Sequence, residues 1–154
     1  MGRAVTKPPI EILIVEDDST FLSFWRRFFD ALDIRDYALV SNPYEAKDVI
    51  LRGGCKLLIS DINMRGINGY ELAKICCEES PETGVVLTTA YEAHLSHFDL
   101  DNCKFHLLYK PYSNLDELTK MIQHLLAGDT SFEDLSEDSY SENDEYPMVT
   151  EWKL

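Results

Sequence analysis

The fold is decided by the stretch ILIVEDDS, residues 12–19, in which four apolar residues run directly into three acidic residues and a serine. In a parallel α/β sheet, ligands bind in the crevice outside the carboxyl ends of the strands. Three further apolar runs also end in a reactive polar group: Asp61 follows LLIS, Thr88 and Thr89 follow VVL, and Lys110 follows FHLLY. The four runs therefore predict one site, built from residues that lie far apart in the sequence.

Helix and strand signals alternate along residues 10–127 with short connections, a pattern typical of βα units and a parallel sheet. The runs at 12–15 and 57–60 are apolar throughout, as expected for strands that helices cover on both faces. The pattern predicts a doubly wound sheet of five parallel strands with five helices, in three αβα layers. The fourth helix falls within residues 92–104, which leave room for only two or three turns.

Polar capping residues predict where the helices begin. Asn42 is expected to cap the second helix, with Pro43 in its first turn. The first helix is expected to begin near Ser19 or Thr20, with Asp18 as a solvated loop acid. The remaining predicted helices span about 69–79 and about 115–127.

Length and charge divide the chain into one domain and two extensions. The 154 residues, 45% of them hydrophobic, suffice for one domain with a substantial core. We predict an N-terminal extension at 1–9, the domain at 10–127 and an acidic, disordered tail at 128–154. The tail holds nine Asp or Glu residues against one Lys, which is more than half of the net charge of −14. An acidic domain without a basic stripe is not expected to bind nucleic acid directly.

The sequence carries no signal for a membrane or for an oxidising compartment. No apolar run approaches the roughly 20 residues of a membrane span, and the N-terminus lacks the apolar stretch of a signal peptide. We therefore expect a cytoplasmic protein that does not engage a membrane. The cysteines, Cys55, Cys76, Cys77 and Cys103, show no Cys-x-x-Cys spacing, so we expect reduced thiols.

The chemistry of the crevice follows from its charges. Glu16, Asp17 and Asp61 would repel one another at close range, so a cation is needed to keep them ionised. Oxygen ligands without His or Cys suit Mg²⁺, which commonly binds carboxylates, water and a substrate phosphate. Lys110 offers a positive charge for phosphate oxygens and Thr89 a hydroxyl donor. Asp61 could then act as the nucleophile that forms an acyl phosphate.

At these residues the chain resembles the receiver domain of two-component response regulators, across roughly residues 10–127. It looks like a single-domain regulator of the chemotaxis type, which implies a flavodoxin-like sheet with strand order 2-1-3-4-5. The resemblance rests on four motifs in the correct order: ILIVEDDS, LLISDINMRGINGYEL with a glycine eight positions after the aspartate, VVLTTA, and the YKP step.

The resemblance implies a role for each matching residue. Asp61 would accept a phosphoryl group from a phosphohistidine on a sensor histidine kinase or a histidine phosphotransfer protein. Asp17 would be the principal Mg²⁺ carboxylate, with Glu16 acting mainly through water and Asn63 offering its backbone carbonyl. Further implied roles are those of Thr89 as the switch hydroxyl, of Lys110 as a contact to the acceptor or its phosphoryl group, and of Pro111 in shaping the next loop through a cis bond.

Two positions depart from the family pattern. Arg65 replaces the usual proline four residues after the acceptor, which could alter kinase docking. Leu107 stands at the aromatic switch position, three residues before the lysine, although Phe105 and Tyr109 share its strand parity. Coupling of Thr89 to the output face, formed by the fourth helix, fifth strand and fifth helix, is therefore expected to run differently.

The leading interpretation is a phosphoacceptor that signals through protein contacts and has no DNA-binding output domain. It is not an enzyme in the usual sense, although it would assist its own phosphorylation and dephosphorylation. The alternative is a phosphorylation-independent adaptor that keeps the receiver fold as a scaffold and binds partners through its acidic, aromatic tail, which could also fold back on the domain. A phosphatase with an aspartate nucleophile ranks last, because Asn63 stands where its second aspartate would be.

Overall fold

The computed structural model describes residues 10–90 and 103–128, together with the backbone of residues 149–152. The predicted helix within 92–104 falls mainly on residues outside this part of the chain, as do the N-terminal extension and most of the tail. The elements are β1 (Ile10–Val15), α1 (Ser19–Ala31), β2 (Tyr37–Val40), α2 (Pro43–Leu51), β3 (Cys55–Asp61), α3 (Gly69–Glu79), β4 (Gly84–Thr89), β5 (Phe105–Tyr109), α4 (Leu115–Leu126) and β6 (Val149–Trp152).

The strands form one parallel sheet in the order β2-β1-β3-β4-β5-β6. The predicted flavodoxin-like order 2-1-3-4-5 is confirmed for the first five strands. The sixth strand was not predicted. It comes from the tail that we expected to be disordered, and it adds a parallel strand to the outer edge of β5. Of the alternatives that the sequence left open, folding back on the domain agrees with β6.

The helices pack on the two faces of the sheet because the central strands are apolar on both sides. On one face, α2 and α3 cover inward side chains that include Leu13, Leu58 and Leu107. On the other face, α1 and α4 cover a cluster that includes Ile14 and Trp25. The alternating faces of β1 thus enter two separate cores, as expected for a strand covered on both sides.

Side-chain caps fix the starts of the helices. The carboxylate of Asp18 accepts a hydrogen bond from the backbone N–H of Thr20 at 2.8 Å. Asp18 is therefore the N-cap of α1, and the expectation that it is only a solvated loop acid is wrong. Asn42 accepts from the N–H of Tyr44 at 2.9 Å, which confirms the predicted cap and the placement of Pro43. These caps fix where each helix begins relative to the strand that precedes it.

The cysteines correct the expectation of four reduced thiols. Cys77, near the end of α3, and Cys103, just before β5, form a disulfide with their Cα atoms 5.8 Å apart. Cys55 and Cys76 are free and buried. The pairing depends on how α3 packs beside the start of β5, and a separation of 26 residues leaves no sign of that contact in the sequence.

Gly69, the glycine eight positions after Asp61, is predicted to be intolerant of substitution. It begins α3 directly against the end of β3, and its N–H donates to the carbonyl of Ile62 at 3.0 Å. A Cβ atom there would lie within 3 Å of the backbone of Asp61 and Ile62, which cannot move without shifting the site. We expect Gly69→Ala to destabilise the protein by about 1–3 kcal/mol, although alanine favours helix, as measured by urea unfolding.

Gly84→Ala is the matched control for this substitution. Its Cβ would lie 3.3 Å from the end of the Leu57 side chain, which needs to shift by only a few tenths of an ångström, and 3.9 Å from the carbonyl oxygen of Lys56, an ordinary contact. We expect its free energy of unfolding to change by less than about 1 kcal/mol. Equal effects of the two substitutions would contradict the close approach of α3 to β3.

His106 in β5 is predicted to make stability depend on pH. Burial, and to a smaller extent the neighbouring His124, lower the pKa of His106 from 6.5 to about 4. Between these values the unfolded chain binds a proton that the folded chain does not, so stability falls as the pH drops through this window. The loss for this one group is at most about 3 kcal/mol. The free energy of unfolding should therefore fall less on acidification in His106→Leu than in the wild type. Parallel pH profiles of the two proteins would contradict this.

Candidate functional site

The carboxyl edge of the sheet gathers the polar residues that the sequence singled out. Asp61 is the last residue of β3 and Thr89 the last of β4, and Lys110 directly follows β5. Glu16 and Asp17 directly follow β1. Carboxylate oxygens of Glu16, Asp17 and Asp61 all lie within 4.8 Å of one another. The predicted convergence of four strand ends into one site is therefore what the structure shows.

Two of the three carboxylates are buried. Glu16 is 1% exposed and Asp61 8% exposed, whereas Asp17 is exposed. Burial raises the pKa of Glu16 to about 7, against the opposing effect of its hydrogen bond to Lys110. Burial likewise raises the pKa of Asp61, and the charge of Lys110 opposes the rise. The site therefore holds its negative charge at a free-energy cost that a further cation would lower.

Lys110 is the cation shared by this cluster. Its Nζ lies 2.5 Å from Glu16 Oε2 and 3.4 Å from Asp61 Oδ2, and its side chain is 6% exposed. The same nitrogen sits 4.2 Å from the centroid of the Phe21 ring. The Lys110–Pro111 peptide bond is cis. The predicted contact with the acceptor is present, but the shorter contact is to Glu16, which the sequence had placed only near the metal.

Asn63 connects Asp61 to the hydroxyl of Thr89. Its side-chain Nδ2 donates to Thr89 Oγ1 at 3.4 Å, and its backbone N–H donates to Asp61 Oδ1 at 3.4 Å. Thr89 is buried and Asn63 is exposed. Sequence reasoning assigned only the backbone carbonyl of Asn63 a role, and that role stays a prediction. The amide link to Thr89 was missed, because nothing in the sequence shows which way an exposed asparagine points.

The two departures from the family pattern occupy different environments. Arg65 is exposed on the loop after β3, where a docking protein could reach it. Leu107 is fully buried in the core beneath α2 and α3, and Tyr109 is partly buried against the same cluster. Phe105 is also fully buried. Position 107 therefore holds a packed aliphatic side chain, whereas the β5 residue paired with Thr89 is Tyr109.

Aromatic residues beside Lys110 form a part of the site that the sequence did not reveal. Tyr112, which directly follows the cis bond, packs edge-on against Phe21 and lies 5.3 Å from Trp25 between ring centroids. Tyr112 is 9% exposed, and burial raises its pKa. Phe21 and Trp25 lie four residues apart in α1, a spacing typical of the apolar face of a core helix. The position of Phe21 over the ammonium group could not be read from that spacing.

Comparison with known proteins decides the family. The model of the response regulator receiver domain matches residues 12–123, most of the chain. The chain belongs to this family. A putative two-component response regulator of Arabidopsis thaliana is 26% identical over 85 residues, which cover 53% of this chain and 15% of that protein. The chain thus spans only a small part of this curated relative.

Solved structures agree on the fold. A CheY-like receiver domain of Methanospirillum hungatei has a TM-score of 0.66 at 22% identity, covering 77% of this chain and 94% of that one. The receiver domain of Ssk1 from Saccharomyces cerevisiae, crystallised with the histidine phosphotransfer protein Ypd1, has a TM-score of 0.63 at 26% identity, covering 79% and 92%. A receiver domain of Pseudomonas aeruginosa with magnesium in its active-site cleft has a TM-score of 0.65 at 19% identity, covering 77% and 98%.

Two further expectations from the sequence concern a membrane and a bound cation. Within the described parts of the chain, none of the helices is both long enough and apolar enough to cross a membrane. The acidic cluster fits a hard divalent cation, because its donors are carboxylate oxygens that need positive charge. Lys110 contacts two members of the cluster, Glu16 and Asp61, while Asp17 is exposed.

Mg²⁺ is predicted to stabilise the protein through this cluster. At ten times the dissociation constant, binding to the folded state would add about 1.4 kcal/mol, seen as a higher melting temperature. Asp61→Asn should raise the melting temperature in chelator, because it removes one buried like charge, and should reduce the response to Mg²⁺. Asp18→Asn is the matched control, since asparagine also caps helices and the change removes one acid outside the cluster. The site assignment would be wrong if both variants kept the wild-type response.

Proposed function

We propose that this receiver domain is a Mg²⁺-dependent phosphoacceptor in which Asp61 takes a phosphoryl group from a phosphohistidine and thereby switches protein–protein contacts. The observation that carries the proposal is the placement of Asp61 beside Lys110, at 3.4 Å, within a cluster of three carboxylates. A buried structural aspartate would need only a cation. Here the cluster holds more negative charge than Lys110 can neutralise, as expected of a site that also takes a metal cation, which in turn can attract a phosphoryl group.

The proposed reaction is a transfer between two protein side chains. A carboxylate oxygen of Asp61 attacks phosphorus, the P–N bond to the donor imidazole breaks, and that nitrogen recovers the bonding electron pair. The products are an acyl phosphate on Asp61 and a donor histidine. Asp61 must be ionised to attack, and the charge of Lys110 favours the ionised form against the effect of burial. A bound Mg²⁺ would supply charge to the phosphoryl oxygens and to the acidic cluster.

The structure suggests how phosphorylation would change the site. Lys110 now makes its shorter contact with Glu16. A phosphoryl group on Asp61 would carry about two negative charges close to Lys110, and would draw the ammonium away from Glu16. Thr89, which accepts from Asn63 at 3.4 Å, has a hydroxyl that could then donate to a phosphoryl oxygen. Both movements act on the ends of β4 and β5 and shift a two-state population.

The phosphodonor is proposed to dock on α1. A groove of about 630 Å³ lies between α1 and the start of α4, and its lining includes Phe24, Arg27 and Leu115. Leu115 is an exposed apolar side chain, 48% accessible, at this groove. The relative from Saccharomyces cerevisiae was crystallised with a histidine phosphotransfer protein. An amphipathic helix of such a donor would cover the apolar groove and bring its histidine to the nearby carboxyl edge.

The test is intact mass after incubation with Mg²⁺ and acetyl phosphate or phosphoramidate. We expect the wild type to gain one phosphoryl mass in a Mg²⁺-dependent manner, and Asp61→Asn to gain none. Asp18→Asn should be labelled like the wild type, because it leaves the cluster and the helix cap intact. If the chain stays unlabelled under conditions that label another receiver domain, the adaptor interpretation replaces this one.

A further inference from the structure

The outer edge of β5 accepts an extended segment of the same chain. Residues 149–152 pair with β5 in parallel, with Phe105 opposite Val149 and Leu108 opposite Trp152. Without this partner, one side of β5 would present unpaired backbone N–H and C=O groups, which are a ready template for any added strand. The β5 edge is thus a strand-accepting surface that β6 occupies.

The pattern of the tail fits this use. Val149, Thr150 and Trp152 belong to the residue types that favour strands. A parallel strand also needs a crossover of about a dozen residues or more. The 20 residues from 129 to 148 exceed that length. They carry eight acids and no Lys or Arg, so the stretch that connects α4 to β6 is strongly acidic.

The strand that β6 covers leads directly to the site. Lys110 follows β5, and its backbone N–H donates to the carbonyl of Thr89 at 2.9 Å. Tyr109 is paired with Thr89 across β4 and β5. A single strand therefore separates the tail from the switch threonine, and that strand positions the ammonium group that lies between Glu16 and Asp61.

We propose that residues 149–152 are a displaceable strand that masks the β5 edge from partner proteins and is released when Asp61 is phosphorylated. The masking rests on β6 alone, and the release rests also on the proposed function. Withdrawal of Lys110 from Glu16 would shift the end of β5 and weaken its pairing with β6. The partner that the open edge fits is an extended segment rich in β-branched and aromatic residues, bound through main-chain hydrogen bonds.

The coupling must act in both directions. If phosphorylation weakens the pairing of β6, then loss of β6 must favour phosphorylation by the same factor at equilibrium. For a coupling at the low end of the usual range, that factor is about fivefold. A variant that cannot form β6 should therefore reach half-labelling at a lower concentration of acetyl phosphate than the full chain with its strand intact.

The masking is tested by hydrogen exchange of the β5 amides in the full-length chain. Thr150→Pro with Glu151→Pro removes two consecutive N–H groups, so whichever of them faces β5 is lost. The control carries Ser139→Pro with Tyr140→Pro, within residues 129–148 that precede β6. We expect faster exchange within Phe105–Tyr109 in the first variant only, and binding of a labelled peptide of residues 146–154 to that variant but not to the wild type. Equal exchange in all three proteins would overturn the masking.

The coupling is tested by titrating the same three proteins with acetyl phosphate. About fivefold easier labelling of the Thr150→Pro, Glu151→Pro variant supports release, and identical titrations overturn it while leaving the masking in place. If no protein is labelled and another receiver is, the proposed function has failed together with the release. Hydrogen exchange and peptide binding still decide the masking in that case, because neither measurement needs phosphate.

Discussion

The ammonium group of Lys110 lies 2.5 Å from Glu16 and 3.4 Å from Asp61, and all three side chains are nearly buried. Removing such charges from water costs several kcal/mol for each ion, and the cost is recovered only through close and well-oriented pairing. One ammonium cannot pair fully with two carboxylates. Burial raises the pKa of both acids more than Lys110 lowers it, and the surplus negative charge leaves the site ready for further positive charge.

Much of the surrounding structure holds this cluster in place. Gly69 lets α3 start against the backbone of Asp61. This close contact fixes the position of the carboxyl end of β3. The ring of Phe21 lies over the ammonium group of Lys110, which makes a favourable cation–π contact with the ring face. Tyr112 packs against Phe21 and so ties the loop after Lys110 to α1. The site is therefore positioned by packing as well as by charge.

The sequence predicted those features that depend on a local period or on the ends of strands. Four apolar runs followed by Glu16, Asp61, Thr89 and Lys110 led to the parallel sheet and to one site at its edge. The receiver family then followed from the order of the motifs, and the family model over residues 12–123 agrees. These inferences succeed because the side chains involved are placed by the strand direction alone.

The features that sequence reasoning missed depend on contacts between distant elements. The Cys77–Cys103 disulfide requires α3 to meet the start of β5, and the link from Asn63 to Thr89 requires a particular side-chain direction. Asp18 was taken for a solvated acid because its capping contact needs the first turn of α1 to be in place. β6 was missed because four residues after a long acidic stretch are too few to outweigh the composition around them.

The buried side chain of Leu107 bears on how this domain could signal. An aromatic side chain at that position could report the state of Thr89 by moving between a buried and an exposed orientation, whereas Leu107 is an aliphatic side chain that is fully buried in the core. Packed cores resist continuous deformation, so the strand must move as a unit if it moves at all. One edge of β5 pairs with β4, and its outer edge pairs with β6 through the backbone. Strand pairing at that edge is thus a route by which this receiver could transmit its state without an aromatic switch.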